Sequence, residues 1–542
     1  MRRTRKIVVA AAASVAVVAA GLVAATGYAD AHGSADSVPA PLDHDHDSDT
    51  VKADPDAKGS KPEASTVKGH RVKLDARTLH GKAHKRSSER EKEEEEESAS
   101  SPKDSGADQK SSHVQRDDGA TPAPDPLVNV KGLDFNTWGA GHPPDTNGTV
   151  GPDYFVQTVN TSVGIYAKAD GKQVAAFTYD DFFDKSGSDA CDSHNGGDIT
   201  VVYDQPSGKW VIADFAWVDE NAGPFYECVA VSSGKDPVTS TWTFYSVPAG
   251  DGDFPDYPKF GSGPDGVYFT TNNFGTSDYT GAGVYALQRE SLGSTTLNVQ
   301  HATTDSSFFS LMPANSASPA PGSGEPIASI WGGNISLWTF NVDWSDASKS
   351  KFANTANLPV KYTDFGKIAT PGEQVDSLSP RVMNQVQLVD GSLWLSHTVK
   401  TGATAGVAWY EVSGTGPTAS IHQQGVYAPN DGVSRFMPSL AVDKQGDMAV
   451  GYSAASKSLN PSVRYAGRLA DDPTGQLGQG ETSLVEGKGA PGDGNYGRWG
   501  DYSEMSVDPA DGCTFWYTTE YYEQNGADWQ TRIGSFKYPS CE

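Results

Sequence analysis

The stretch Ser434-Arg-Phe-Met-Pro-Ser-Leu-Ala-Val-Asp-Lys-Gln-Gly-Asp-Met-Ala-Val-Gly-Tyr-Ser453 reads as two β-strands joined by a tight Asp-Lys-Gln-Gly turn, with apolar residues at short spacing on both sides. The same pattern returns in other letters. It runs from Asp198 through Gly208 to Trp210, from Asp256 through Gly266 to Tyr268, from Arg381 through Gly391 to Trp394, and from Asp501 through Gly512 to Trp516. The turn glycines recur at intervals of roughly sixty residues, with one gap of about twice that length. Gly324, ahead of Ile327-Ala-Ser-Ile-Trp331, is placed to mark a copy inside the gap, and Gly151-Pro-Asp-Tyr-Phe-Val-Gln-Thr-Val159 begins an earlier one. The count is seven units.

Each unit also supplies a third strand after its hairpin, such as Gly283-Val-Tyr-Ala-Leu287 or Gly406-Val-Ala-Trp-Tyr410. Repeats of this length, rich in short strands and turn residues and without long helical periodicity, are the mark of a β-propeller built from four-stranded blades. The expected fold class is therefore all-β: a single propeller of seven four-stranded blades, with a β-sandwich or two smaller β domains as alternatives. Residues 127–137 are the candidate for a strand lent by one terminus to the last blade, which would remove the open edges of the ring.

Composition sets limits on partners and compartment. A formal charge of -27 and a pI near 4.7 repel nucleic-acid backbones and anionic membrane surfaces at long range. Met1 to Lys6 is basic, Ile7 to Ala25 is apolar, and Ala29-Asp-Ala31 offers small residues for cleavage, so residues 1–31 are expected to be a signal peptide and the protein to be secreted. No later apolar run is long enough to span a bilayer. Residues 32–126 are rich in Asp, Ser, Lys, Glu, Pro and Ala, with a charge block at Glu89 to Glu97, and are expected to form a disordered charged linker ahead of a propeller domain at 127–542. Four cysteines in an exported chain suggest two bridges, and short loops favour Cys191 with Cys228 and Cys513 with Cys541. A monomer is expected.

Ser232-Ser-Gly-Lys-Asp-Pro-Val-Thr-Ser-Thr-Trp242 resembles the Asp-box, the Ser-x-Asp-x-Gly-x-x-Trp turn between outer blade strands of sialidases and related BNR-repeat propellers, although the glycine is lost. Asp472-Asp-Pro-Thr-Gly475 is a weaker echo. Residues 127–542 thus look like the secreted bacterial sialidase-like propellers, many of which have no known activity. The box is a turn device, so the likeness speaks for fold and leaves chemistry to the site.

Counting back ten or eleven residues from the turn glycines reaches Asp198, Asp256, Arg381, Arg435 and Asp501, equivalent positions at the start of each innermost strand. In a ring they surround one mouth of the central channel. Asp214, Asn272, Asn273, His397, Tyr452 and the run Glu520-Tyr521-Tyr522 belong to loops on the same face, and Arg498 adds charge. Several arginines at one mouth suit a planar anion such as a sugar carboxylate, because a guanidinium can make two parallel hydrogen bonds. The sialidase resemblance implies more: three arginines gripping the carboxylate, an aspartate acid, and a tyrosine paired with a glutamate as nucleophile. Carried onto this chain, Arg381, Arg435 and Arg498 are the grip, Asp198 or Asp256 the acid, and Tyr521 or Tyr522 with Glu520 the nucleophile pair. Asp501 and His397 complete the candidate substrate contacts. The chain departs from the family in blade number and in lacking the Arg-Ile-Pro motif, to which Arg435-Phe-Met-Pro438 is only a distant likeness. An Asp-Arg ring that merely closes the channel by ion pairing is the structural alternative.

The expected function is binding or processing of extracellular carbohydrate, as a glycoside hydrolase of sialidase type or a polysaccharide lyase acting on anionic sugars. The alternative is a propeller without catalysis that binds glycan, cell-wall polymer or a secreted protein. No cofactor is expected; Asp251-Gly-Asp-Phe-Pro-Asp256 and Asp145-Thr-Asn147 supply oxygen ligands fit for a structural calcium, and no zinc spacing exists.

Overall fold

Short β-branched and aromatic runs punctuated by turn residues favour strands over helices, and the described residues are all-β. A computed structural model describes residues 51–52, 59–81, 113–119, 121–188, 190–192, 195–217, 219, 222–276, 278–316, 322–492, 497–526 and 528–542. Among these the only α-helices are the short Phe135–Trp138 and Tyr179–Phe183. None is long and apolar enough to cross a membrane. The expected signal peptide and the Glu89 to Glu97 block lie outside the described residues.

The strands form antiparallel meanders, each pairing first strand to second, second to third and third to fourth. They span 147–178, 200–248, 254–303, 312–359, 383–427, 434–485 and 504–536 and are called units one to seven in that order. Units four and five share one ten-stranded sheet, because Met312–Asn315 pairs in parallel with Met383–Val389. Unit seven has three strands of its own, and its fourth is Val128–Asp134, antiparallel to Trp529–Phe536 in the register Val130 to Ile533. That is the strand expected from 127–137.

The hairpin turns lie where the glycines place them. Gly208, Gly391, Gly446 and Gly512 all take the left-handed conformation that a tight turn demands and that a side chain resists. Gly324, also left-handed, directly precedes the second strand of unit four, while Gly266 opens a strand with ordinary dihedrals. The Ser232 to Trp242 turn joins the third and fourth strands of unit two, with the Asp236 carboxylate accepting from Val238 N at 2.8 Å and Trp242 buried.

Apolar side chains from alternate strand positions meet between neighbouring meanders. One cluster joins units one and two through Trp210 and Phe177, and others join each following pair. A further cluster joins the last unit to the first, with Trp516 and Ile533 against Val150, Phe155 and Tyr166. The first strands themselves lie side by side in chain order, and the first strand of unit seven packs beside that of unit one. Both expected disulfides form, Cys191–Cys228 and Cys513–Cys541, and no described cysteine is free.

The linker expectation needs correction within the described residues. Val51–Lys52 pairs with the outer strand of unit four, Glu63–Lys68 with that of unit three, and His70–Lys73 with that of unit two. Ala76 and Leu79 are buried against unit one, where Thr178 N donates to His80 O at 2.9 Å. Val114–Gln115 and Thr121–Pro122 then lie parallel to the outer strands of units five and six. The physical reason is edge satisfaction: each outer strand carries a row of unpaired amides, and a polar segment with Val67, Val72 and Leu74 correctly spaced covers it. Gly69 makes the step between sheets, since a Cβ there would stand 2.6 Å from the Tyr245 ring.

Candidate functional site

The innermost strands begin with a sharp turn of the backbone. Asp145, Asp198, Tyr257, Ser310, Leu378 and Met437 all sit at positive φ between 45 and 56°, a conformation that costs a side chain energy; they lie ahead of the first strand in units one, two, four and five and inside it in units three and six. Because strands alternate in direction, first-strand starts and the loops between second and third strands share one edge of each sheet.

At that edge the structure assembles a buried polar network from units one, two, three and seven. Tyr502 Oη donates to Asp198 Oδ2 at 2.9 Å and lies 3.1 Å from Pro258 O. Asn160 Nδ2 donates to Asp145 Oδ2 at 2.5 Å and its carbonyl accepts from Asp198 N at 2.7 Å. Asp501 N donates to Asp145 Oδ1 at 3.0 Å, and Arg498 Nη2 meets Asp501 Oδ2 at 2.8 Å. Gly500 N donates to Glu520 Oε1. Lys259 Nζ lies 3.0 Å from the centre of the Tyr502 ring and 3.7 Å from that of Tyr257.

Burial sets the electrostatics here. Loss of water drives the Lys259 ammonium down to about 7, with Asp198, Asp501 and Asp145 pulling it back up. Deeper along the innermost strands, Glu504 accepts from Asn384 Nδ2 at 2.7 Å and Asn147 Nδ2 at 3.3 Å, and burial raises its carboxyl to about 8. Glu520 is pushed well above the usual carboxylate range by burial, against the pull of its Gly500 hydrogen bond.

Of the residues singled out from sequence, the structure brings Asp198, Asp501, Arg498 and Glu520 into this network. Asp256 and Arg381 lie half-buried beside it. Asp256 adds negative charge near Tyr502, and the Arg381 guanidinium stands 5.0 Å from the ring centres of Tyr257 and Phe309. Arg381 makes no ion pair with any described carboxylate. Phe309 in turn meets Trp331 at 4.9 Å and Tyr279 at 5.1 Å, so the arginine stands in a half-buried aromatic patch.

Of the remaining candidates, Tyr522 shares an apolar cluster with Tyr257, Trp499 and Tyr502 beside the network. Arg435 is buried and paired with Asp431 at 2.8 Å and Glu481 at 2.7 Å, and Tyr452 Oη donates to the same Glu481. Tyr521 packs in the core between units six and seven and donates to Glu523, while Tyr522 packs on Trp499. The Tyr521 hydroxyl is directed to Glu523, and Arg435 is already matched by two carboxylates, so it is not left open to grip a ligand carboxylate. His397 is fully buried, with Nε2 3.0 Å from Tyr410 Oη, and burial drives it down to about 3.

Lys259, Tyr257, Tyr502, Asn160 and Glu504 were not legible as site residues. The available signal was local: Asp256-Tyr-Pro-Lys259 puts charged residues inside the first strand of unit three, and Arg498-Trp-Gly-Asp-Tyr502 puts them in the segment that leads into the first strand of unit seven, both among apolar or aromatic neighbours. Among the described residues no group of three or more His, Cys, Asp or Glu is arranged to hold a metal ion.

No family model and no curated protein matches the sequence. Among solved structures, the chain is similar to the Hadza microbial sialidase Hz136 at 10% identity, covering 73% of this chain and 66% of that one with a TM-score of 0.34. It is also similar to a Trypanosoma rangeli sialidase in complex with 2,3-difluorosialic acid, at 12% identity, 62% and 53% coverage and a TM-score of 0.31. A Penicillium chrysogenum α-L-arabinanase complexed with arabinobiose follows at 10%, 62% and 93%, and 0.28. The chain thus spans about two thirds of the first of these proteins and about half of the second. Likenesses this weak carry no argument, and the account rests on the strand pairing and the site.

Proposed function

We propose that the seven meanders close into one seven-bladed β-propeller, exported from the cell, and that its acidic mouth binds a carboxylated sugar of an extracellular glycan through Arg381. Closure is supported by the apolar cluster between units seven and one and by the shared strand Val128–Asp134. The observation that carries the binding reading is the state of Arg381: half-buried, held between Tyr257 and Phe309, and without a carboxylate partner among the described residues. A guanidinium fixed by ring faces keeps its hydrogen-bonding fork for a ligand anion. The half-buried Trp331 and Tyr279 beside Phe309 offer flat apolar faces to a sugar ring. A net charge of -27 disfavours a polyanion and leaves a single carboxylated residue as the fitting ligand.

A hydrolytic reading is favoured by one feature, the Tyr502–Asp198 hydrogen bond beside Lys259, which pairs a phenol with a carboxylate as a tyrosine nucleophile requires. Both residues are buried, so the binding reading comes first. The test is retention of the purified protein on sialylated, uronic-acid and neutral glycans, with analysis of products. Carboxylated glycans are retained, no sugar is released, and Arg381→Ala weakens retention by about tenfold or more. Equal retention of neutral glycans, or an unchanged Arg381→Ala protein, refutes the reading; released sugar promotes the hydrolytic one.

A further inference from the structure

At the opposite ends of the innermost strands lies a cavity of about 190 Å³. It is lined by the last residues of the first strand in every unit, from Val150 in unit one to Val507 in unit seven. A buried layer separates it from the Arg381 edge: Glu504 with Asn147 and Asn384, and Gln385, whose Nε2 donates to Met505 O at 2.5 Å.

Its walls are preorganised. Asn315 Nδ2 donates to Gln385 Oε1 at 2.7 Å and Asn315 Oδ1 accepts from Ser262 N at 3.0 Å. Gln387 accepts from Val442 N at 2.5 Å and donates to Val442 O at 3.3 Å. Each amide therefore spends one N–H and one lone pair on other units, which fixes its orientation, and keeps a second N–H and a second lone pair. Hydroxyl groups, which both donate and accept, match such a lining, and the intervening valines match the apolar face of a small ring.

The charges of the lining are unequal in their partners. Asp508 is neutralised by Lys168 at 2.7 Å, and Lys444 is exposed at the rim and makes no ion pair among the described residues. Asp443 is 1% exposed; its Oδ1 accepts from Gln445 N at 2.8 Å and Asp447 N at 3.1 Å, and its Oδ2 has no hydrogen-bond partner. Burial raises this carboxyl to about 6, so it is ionised at neutral pH, and it makes no ion pair among the described residues. A buried, uncompensated carboxylate beside a hydroxyl-compatible cavity calls for a ligand cation.

We infer that this cavity is a second ligand site, which takes a small hydroxylated ligand bearing an ammonium group, of the amino-sugar class. Hydroxyls bind the second valences of Asn315, Gln385 and Gln387, and the ammonium lies on the Asp443 side. The site shares no residue with the Arg381 edge, and its standing is independent of the glycan reading.

The experiment is calorimetric titration of the full chain with glucosamine, N-acetylglucosamine and glucose. Glucosamine binds about tenfold more tightly than the other two, because only it supplies a charge-assisted partner. Asp443→Asn abolishes the difference. Gln205→Trp, at an exposed turn position on the rim, blocks all binding while leaving the melting temperature unchanged, which covers the case of a poorly folded Asp443 variant. Absence of saturable glucosamine binding, a preference that survives Asp443→Asn, full binding by Gln205→Trp, or loss of binding in Arg381→Ala would each overturn the inference.

Discussion

Glu504 and Lys259 show what an interior position does to a single ionisable group. The Glu504 carboxyl, normally near 4.5, holds its proton to about 8 in the folded chain. Between those values the unfolded chain has released a proton that the folded chain keeps, so this group's contribution to stability falls as pH rises through the window. Lys259 works in the opposite direction: its ammonium, normally near 10.5, loses its proton at about 7, so its cost is relieved as pH climbs above 7. Glu504→Gln keeps an oxygen for Asn147 and Asn384 and cannot ionise. Its melting temperature should match the wild type at pH 5 and exceed it by a few degrees at pH 8, measured by scanning calorimetry; an equal or lower value at pH 8 would show that Glu504 is held as a favourable carboxylate. At this scale the sequence was half readable. Asp198 and Asp501 were marked by a fixed offset from a turn glycine, which survives any substitution elsewhere, and Arg498 only as a charge near Asp501. Lys259 and Tyr502 carry no such mark, because their importance comes from rings and carboxylates contributed by other units. Arg435 had the right offset and the wrong neighbours: Asp431 and Glu481 already satisfy it.

Among the elements, the hairpins were legible and the outer strands of the arm were not. A hairpin announces itself within twenty residues through a turn glycine and alternating apolar positions. An arm strand has no hairpin partner in sequence; His70–Lys73 finds its partner in Thr241–Phe244, and its averaged composition resembles a solvated tail. The informative positions were few: Val67, Val72 and Leu74 all face the packed sheets. Val72→Asp places a charge against that surface and should cost about 1–3 kcal/mol. Limited proteolysis with mass spectrometry should then show new cuts within 59–81 while the remaining units resist; unchanged cutting would show that backbone pairing alone holds the arm. The two disulfides act at the same scale, each closing a short loop, Cys513–Cys541 across 28 residues and Cys191–Cys228 across 37.

For the whole molecule, periodicity carried the architecture because each meander repeats one bargain: a hydrophobic face that only the next meander can cover. The repeat also fixes which residues share an edge, which is why residues as distant in sequence as Asp145 and Asp501 meet. Repetition does not state how a ring ends; in the proposed ring the end is made by pairing Val128–Asp134, which precedes unit one, with the last strand of the last unit. That join is the claim on which the common axis, the Arg381 edge and the opposite cavity all depend. It is tested by placing cysteines at the paired positions Val130 and Ile533, in a chain whose native bridges are intact, and assaying cross-linking by mass spectrometry after mild oxidation. The account predicts near-complete formation of the Val130→Cys to Ile533→Cys bridge and a higher melting temperature in the oxidised form. Two free thiols after oxidation of the folded protein would contradict it.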